Sequence, residues 1–194
     1  MSDPVFGQTA LGETDLDGTR YWQGFQIIPS LTTYGRPLAE ARQDWHVNSP
    51  EDGVAKRRFL SDGAVPIRVR DDDGEGPTAG QARALHTLAE NESAVVAAVL
   101  AVAYESYRAA FDQGWWTEAD VPDPSGLQPH LLPTGITVAR RESDGCSFLG
   151  FSFESSWEDD HGLTVVYHPS EGASWEDLED DPSPEEGAND EEDD

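Results

Sequence analysis

Between Cys146 and His168, two runs of aromatic and β-branched residues flank a short polar connection. Residues 146–154 read Cys-Ser-Phe-Leu-Gly-Phe-Ser-Phe-Glu, and residues 163–168 read Leu-Thr-Val-Val-Tyr-His. Such side chains suit a pleated, half-buried surface, and Gly162 stands where the chain must turn back. The stretch therefore reads as an antiparallel hairpin. In its first strand Phe148, Gly150 and Ser152 share one face, and Leu149, Phe151 and Phe153 share the other. A strand apolar on nearly both faces belongs at the centre of a covered sheet. Upstream, Asp144-Gly145 is a strong two-residue turn signal, so residues 135–141 form a further strand paired with it.

The remaining elements follow from periodicity. Val95, Val96, Val99, Leu100, Ala103, Tyr107 and Phe111 recur at helical spacing, which predicts a helix over residues 92–113, ended by Gly114. Before it, Thr78-Ala-Gly-Gln81 is a capping box that opens a first helix reaching about Asn91. That helix should bury Leu85, Leu88 and either Ala82 or Ala89. Residues 21–29 and 64–70 read as strands, with Pro66 near a strand start or on a sheet edge. Leu38, Ala41 and Trp45 fit a short helix over 37–45, while four prolines keep residues 117–133 irregular. The expected fold class is α+β: an antiparallel sheet with a two-helix layer on one face. Residues 1–170 form a single domain, and residues 171–194 a disordered acidic tail.

Charge separates the two parts. The chain carries 12 basic and 39 acidic side chains, a net of −27. From Glu171 onward there are 13 acidic residues and no Lys or Arg, too few apolar groups to offset ordering entropy. The field repels nucleic acid and anionic membranes, and attracts basic proteins and divalent cations. The Lys56-Arg57-Arg58 cluster reads as a solvated loop patch. A single cysteine, Cys146, excludes an internal disulfide and a cysteine-based zinc site, and its apolar run suggests a buried, inert thiol. The N-terminus lacks the basic start and apolar run of a signal peptide, and the longest apolar segment is about half a membrane span. A cytoplasmic location is expected.

One segment groups residues able to do chemistry. Trp157, Glu158, Asp160, His161 and Gly162 lie in the connection of the hairpin, and Glu158, Asp160 and His161 are metal-ligand types. They form the candidate binding site. A metal-dependent enzyme or metal-binding regulator using them is the alternative function. Consecutive residues in one turn rarely converge on one ion, however, and local carboxylate–backbone bonds with a packed or paired histidine explain the same pattern. No nucleophile elbow or phosphate loop occurs, so no catalytic residue and no cofactor is assigned.

The pattern Phe-x-Phe-x-x-x-Trp-x-x-x-His-Gly-Leu-x-Val-x-Tyr, from Phe151 to Tyr167, resembles an uncharacterised bacterial domain family. That family carries an F-x-x-x-W-[DE]-x-E-H-G-[LM] segment near its C-terminus. Asp160 stands where the family usually has Glu, keeping a carboxylate of shorter reach. The likeness runs over about residues 3–170. The family has no established activity, and its members resemble proteins encoded beside toxin systems. The resemblance thus implies an immunity-like, non-enzymatic protein-binding role against a basic, toxin-like partner.

Overall fold

A computed structural model of the chain describes residues 10–14, 20–35, 63–71, 74–114, 121–157 and 162–175. Seven strands form one sheet: β1 (Ala10–Thr14), β2 (Arg20–Ile27), β3 (Ala64–Arg70), β4 (Leu131–Ser143), β5 (Cys146–Ser155), β6 (Leu163–His168) and β7 (Gly172–Ser174). Their order across the sheet is their order along the chain. Among the described residues a single α-helix, α1 (Ala79–Asp112), lies between β3 and β4. The short helix expected at 37–45 and the cluster at Lys56-Arg57-Arg58 lie outside the described residues, as does residue 176 onward.

The α+β class holds, with two corrections. The sheet is mixed: β3 and β4 run parallel, with Ile67 opposite Ile136 and Val69 opposite Val138, and every other pair is antiparallel. The helix between them returns the chain to the same end of the sheet, and a parallel partner is the result. The expected two-helix layer is one 34-residue helix. The break foreseen near Asn91 is present only as a kink: Asn91 alone leaves helical geometry (φ −121°, ψ 25°) and the chain continues. Its side-chain amide donates to the Thr87 carbonyl at 3.3 Å, occupying an acceptor that the bend disturbs.

Both ends of α1 match their local signals. Gln81 N donates to the Thr78 hydroxyl at 3.1 Å, and Thr78 N donates to Gln81 Oε1 at 2.8 Å. Gly114, at φ +74°, closes the far end. Leu85, Leu88, Val95, Val96, Val99, Leu100, Ala103 and Tyr107 are buried against the sheet, Phe111 is half-buried, and Ala84 fills the place expected of Ala82 or Ala89. The helix has the length and hydropathy of a membrane span, but its apolar stripe is the core of the domain.

The sheet supplies the other half of that core. Ile28, Val65, Ile67, Val69, Ile136, Val138, Leu149, Phe151, Phe153 and Val165 face the helix. Phe148, Val166 and Ala139 form a second, smaller cluster, so β5 is apolar on both sides as its sequence suggests. The turn Asp144-Gly145 has positive φ at both residues (52° and 70°), the geometry of a type I′ hairpin, and the Arg83 guanidinium donates to the Gly145 carbonyl. β4 begins four residues earlier than expected and includes Pro133. The register with β5 shifts between Pro133 and Gly135, so a bulge accommodates the proline. Pro66, the third residue of β3, lies near the strand start as expected: it pairs with Phe25 of β2, and pairing with β4 starts only at Ile67. β7 extends the sheet past Ser170, where the tail was expected to begin.

Gln81 ties these pieces together. It is fully buried, and its Nε2 donates to the Arg70 carbonyl at 2.7 Å and to Ala139 at 3.1 Å, with Val138 at 3.5 Å. These carbonyls lie at the end of β3 and at the irregularity in β4, where the register shifts between Val138 and Glu142. A Gln81→Leu variant keeps the volume and leaves the acceptors buried without a donor. It should lose about 2–3 kcal/mol of stability in urea unfolding.

Candidate functional site

The structure separates the candidate residues. Trp157 and Gly162 are described. Glu158, Asp160 and His161 lie outside the described residues, so their convergence on an ion has no geometry to report. Trp157 is half-buried and packs on the main core, edge-on to Tyr107 with ring centroids 5.6 Å apart. Tyr107, stacked in turn near Tyr104 and Phe111, is fully buried. Its hydroxyl accepts from Val121 N at 2.8 Å, and Tyr104 Oη donates toward the carbonyls of Val121 and Pro122. Trp157 therefore anchors the end of β5 onto the second half of α1. Gly162 sits at φ +67° just before β6, and a Cβ there would stand 2.8 Å from the Phe153 carbonyl oxygen. Both residues hold the hairpin closed.

Two imidazoles outside the predicted segment are fixed by the fold. His168 is 1 % exposed and lies on Phe148 with centroids 4.5 Å apart, and the Arg141 guanidinium is also over that ring at 4.3 Å. His168 Nε2 lies 3.0 Å from the Ser143 carbonyl and 3.1 Å from that of Cys146, so this nitrogen carries the proton and donates. Nδ1 accepts from Ser170 N at 3.3 Å and faces Ser170 Oγ at 2.9 Å. The ring thus ties the β4–β5 turn to the β6–β7 turn. His130 Nδ1 lies 3.1 Å from Ser156 Oγ, while Ser156 N donates to the His130 carbonyl at 3.0 Å. A serine–imidazole contact is the geometry of an activated nucleophile. Here the same two residues are also bridged through the backbone, and the contact closes the open end of the β4–β5 ladder. Sequence periodicity gave no signal for either histidine, because single polar residues at strand ends leave no repeating pattern.

Among the described residues no group of three or more His, Cys, Asp or Glu could hold a metal ion. Asp71 is 1 % exposed, but its carboxylate is used: Trp22 Nε1 donates to Oδ2 and Gly76 N to Oδ1, each at 2.9 Å. Cys146 is buried, and burial pushes its thiol up, with the Arg83 guanidinium opposing part of the effect. The described part of the site is therefore an assembled structural hairpin.

Comparison with known proteins gives a family over most of the sheet and all of α1. Residues 38–174 match a domain of unknown function, DUF6985. The chain belongs to that family. No curated protein and no solved structure matches the chain. The DUF6985 match begins later than the resemblance suggested and ends at the last residue of β7. It takes in β3, α1 and β4–β7, while β1 and β2 precede it and complete the same sheet.

Two outcomes follow from these placements. Trp157→Ala should cost about 2 kcal/mol, and Gly162→Val should prevent or severely weaken folding, both read by chemical denaturation. Alkylation of Cys146 by iodoacetamide at pH 8 should run about a hundredfold slower in the folded chain than in urea, because burial disfavours the thiolate and blocks access.

Proposed function

We propose that this DUF6985 protein is a non-enzymatic, cytoplasmic binding protein, immunity-like in kind, whose acidic segments cover a basic protein partner such as a toxin. Charge carries the reading. The described residues include seven Arg and twelve Asp or Glu, a net of −5, against −27 for the chain. The rest of the acidic excess falls in residues outside those described. An acidic field of this kind draws in a basic protein and orients it, and it disfavours nucleic acid and anionic lipid as partners. The roles of Trp157 and Gly162 in holding the hairpin support the same reading, since they account for those residues without chemistry.

The test is binding and protection with a basic toxin encoded near this gene, using the full chain and a chain ending at Trp175. Removing residues 176–194 deletes twelve carboxylates. Association should slow by about tenfold at low salt, with a smaller difference at 0.3 M salt. A chain that neither binds nor protects against such a protein would overturn the proposal.

A further inference from the structure

Among the described residues α1 packs on one face of the sheet, and no helix packs on the opposite face, which carries Phe148, Val166 and Ala139. On that open face the strand registers align one row from β7 to β2. Ser174 opposes Val166, Val166 opposes Gly150, Gly150 opposes Thr137, Thr137 opposes Arg68, and Arg68 opposes Gln23. The middle of the row is low, because Thr137 is short and Gly150 has no side chain. At one end, Ser174 is the last residue of β7, and the acidic segment 176–194 follows one residue later. Towards the other end, Arg68 is exposed and forms no ion pair among the described residues.

Charge on this face runs against that of the chain as a whole. Alternation along β3 and β4 brings Arg68, Arg70 and Arg141 to it, and Arg141 lies over the Phe148 ring. Glu154 is the carboxylate that β2 to β6 add, and it stands at the far end of β5, about 13 Å from the row. The face is therefore locally positive in a chain of net −27. Spacing sets the reach. Neighbouring strands lie about 4.8 Å apart, so Arg68 is about 19 Å from Ser174, a distance that about six extended residues cover. That count from Ser174 ends at Asp180, between Glu179 and Asp181. The exposed guanidinium and this run of carboxylates thus match in position as well as in sign.

We infer that residues 176–182 lie back across the open face of the sheet, with Glu179, Asp180 and Asp181 on Arg68 and Leu178 over the low ground between Gly150 and Thr137. The tether is short, so the segment meets the face at an effective concentration in the millimolar range, and contacts too weak to hold a free peptide are enough. Charge-assisted bonds to the planar guanidinium give the contact its direction. The inference goes beyond the binding reading above and does not rest on it. The carboxylates from Glu185 onward still face outward to draw in a basic partner, and a partner that took the segment would uncover Arg68.

The test uses the ¹⁵N-labelled full chain with Ser183→Cys carrying a nitroxide, Cys146 being buried and left unmodified. At about 0.05 M salt the amides of Arg68, Thr137 and Gly150 should relax about threefold faster or more than those of Glu105 and Arg108 on α1, and at about 0.5 M salt most of that difference should vanish. Arg68→Glu should abolish the difference at Thr137 and Gly150, and Arg68→Lys should keep most of it. Both substitutions fall at an exposed position, so the spectrum should stay dispersed. Relaxation no faster on the open face than on α1, or unchanged by Arg68→Glu, would overturn the inference. So would an equal effect when nitroxide-bearing chain without ¹⁵N is mixed with ¹⁵N-labelled chain without nitroxide, since the segment of a second copy would then be the occupant.

Discussion

The fold depends on what happens where β3 and β4 part company. A parallel pair must be left by a long crossover, and the end of the pair exposes carbonyls with no strand to receive them. Gln81 meets that need from inside the helix that makes the crossover. Its amide nitrogen serves carbonyls of both strands, while its oxygen caps the first turn through Thr78. One side chain therefore satisfies a helix start and a strand end together. Thr78 completes the arrangement by donating its hydroxyl to Glu142 on β4 at 2.6 Å, and Gly80 leaves room for that carboxylate against the helix. A carboxylate at this end is also favoured by the helix dipole.

The polar groups with the most elaborate surroundings are given over to architecture. His168, Asp71 and Gln81 are each buried, and each uses its oxygens or nitrogens to fasten two segments together. The bend at Asn91 is fastened to the turn Pro29–Leu31 by Glu92.

Much of the architecture could be read from local chemistry. Asp144-Gly145 announces its turn through positive φ, Thr78 and Gln81 announce their helix start through reciprocal bonds, and Gly114 announces its end. Each of these needs only a few neighbouring residues. The misreadings share the opposite character. Asn91 and Glu92 look like a boundary, but packing of Leu88 on one side and Val95 on the other carries the helix through with a bend. Pro133 looks like a breaker, yet a register shift gives it a place in β4. Gly172–Ser174 has no apolar pattern of its own, and it becomes a strand because β6 offers an edge. The parallel direction of β3 against β4 is decided by residues far apart in the chain. Of the expected binding residues Trp157, Glu158, Asp160, His161 and Gly162, the structure describes Trp157 and Gly162, which pack the hairpin together with Tyr107, a residue of the helical periodicity, and with His130 and His168, which no repeating pattern marks.

The order of the strands across the sheet repeats their order along the chain. During synthesis each new strand therefore emerges beside a partner that has already been made, and growth proceeds in one direction like a stack. Two intervals interrupt this, residues 28–63 between β2 and β3 and the longer passage through α1 from Arg70 to Leu131. Closing a loop of that length adds a cost that rises only with the logarithm of its size. Once the capped helix folds onto β3, β4 can join, and the three short reversals that follow complete the sheet from short-range contacts. The last part of assembly, from β4 to β7, is thus local, and the longest search precedes it, at the step that seats the helix.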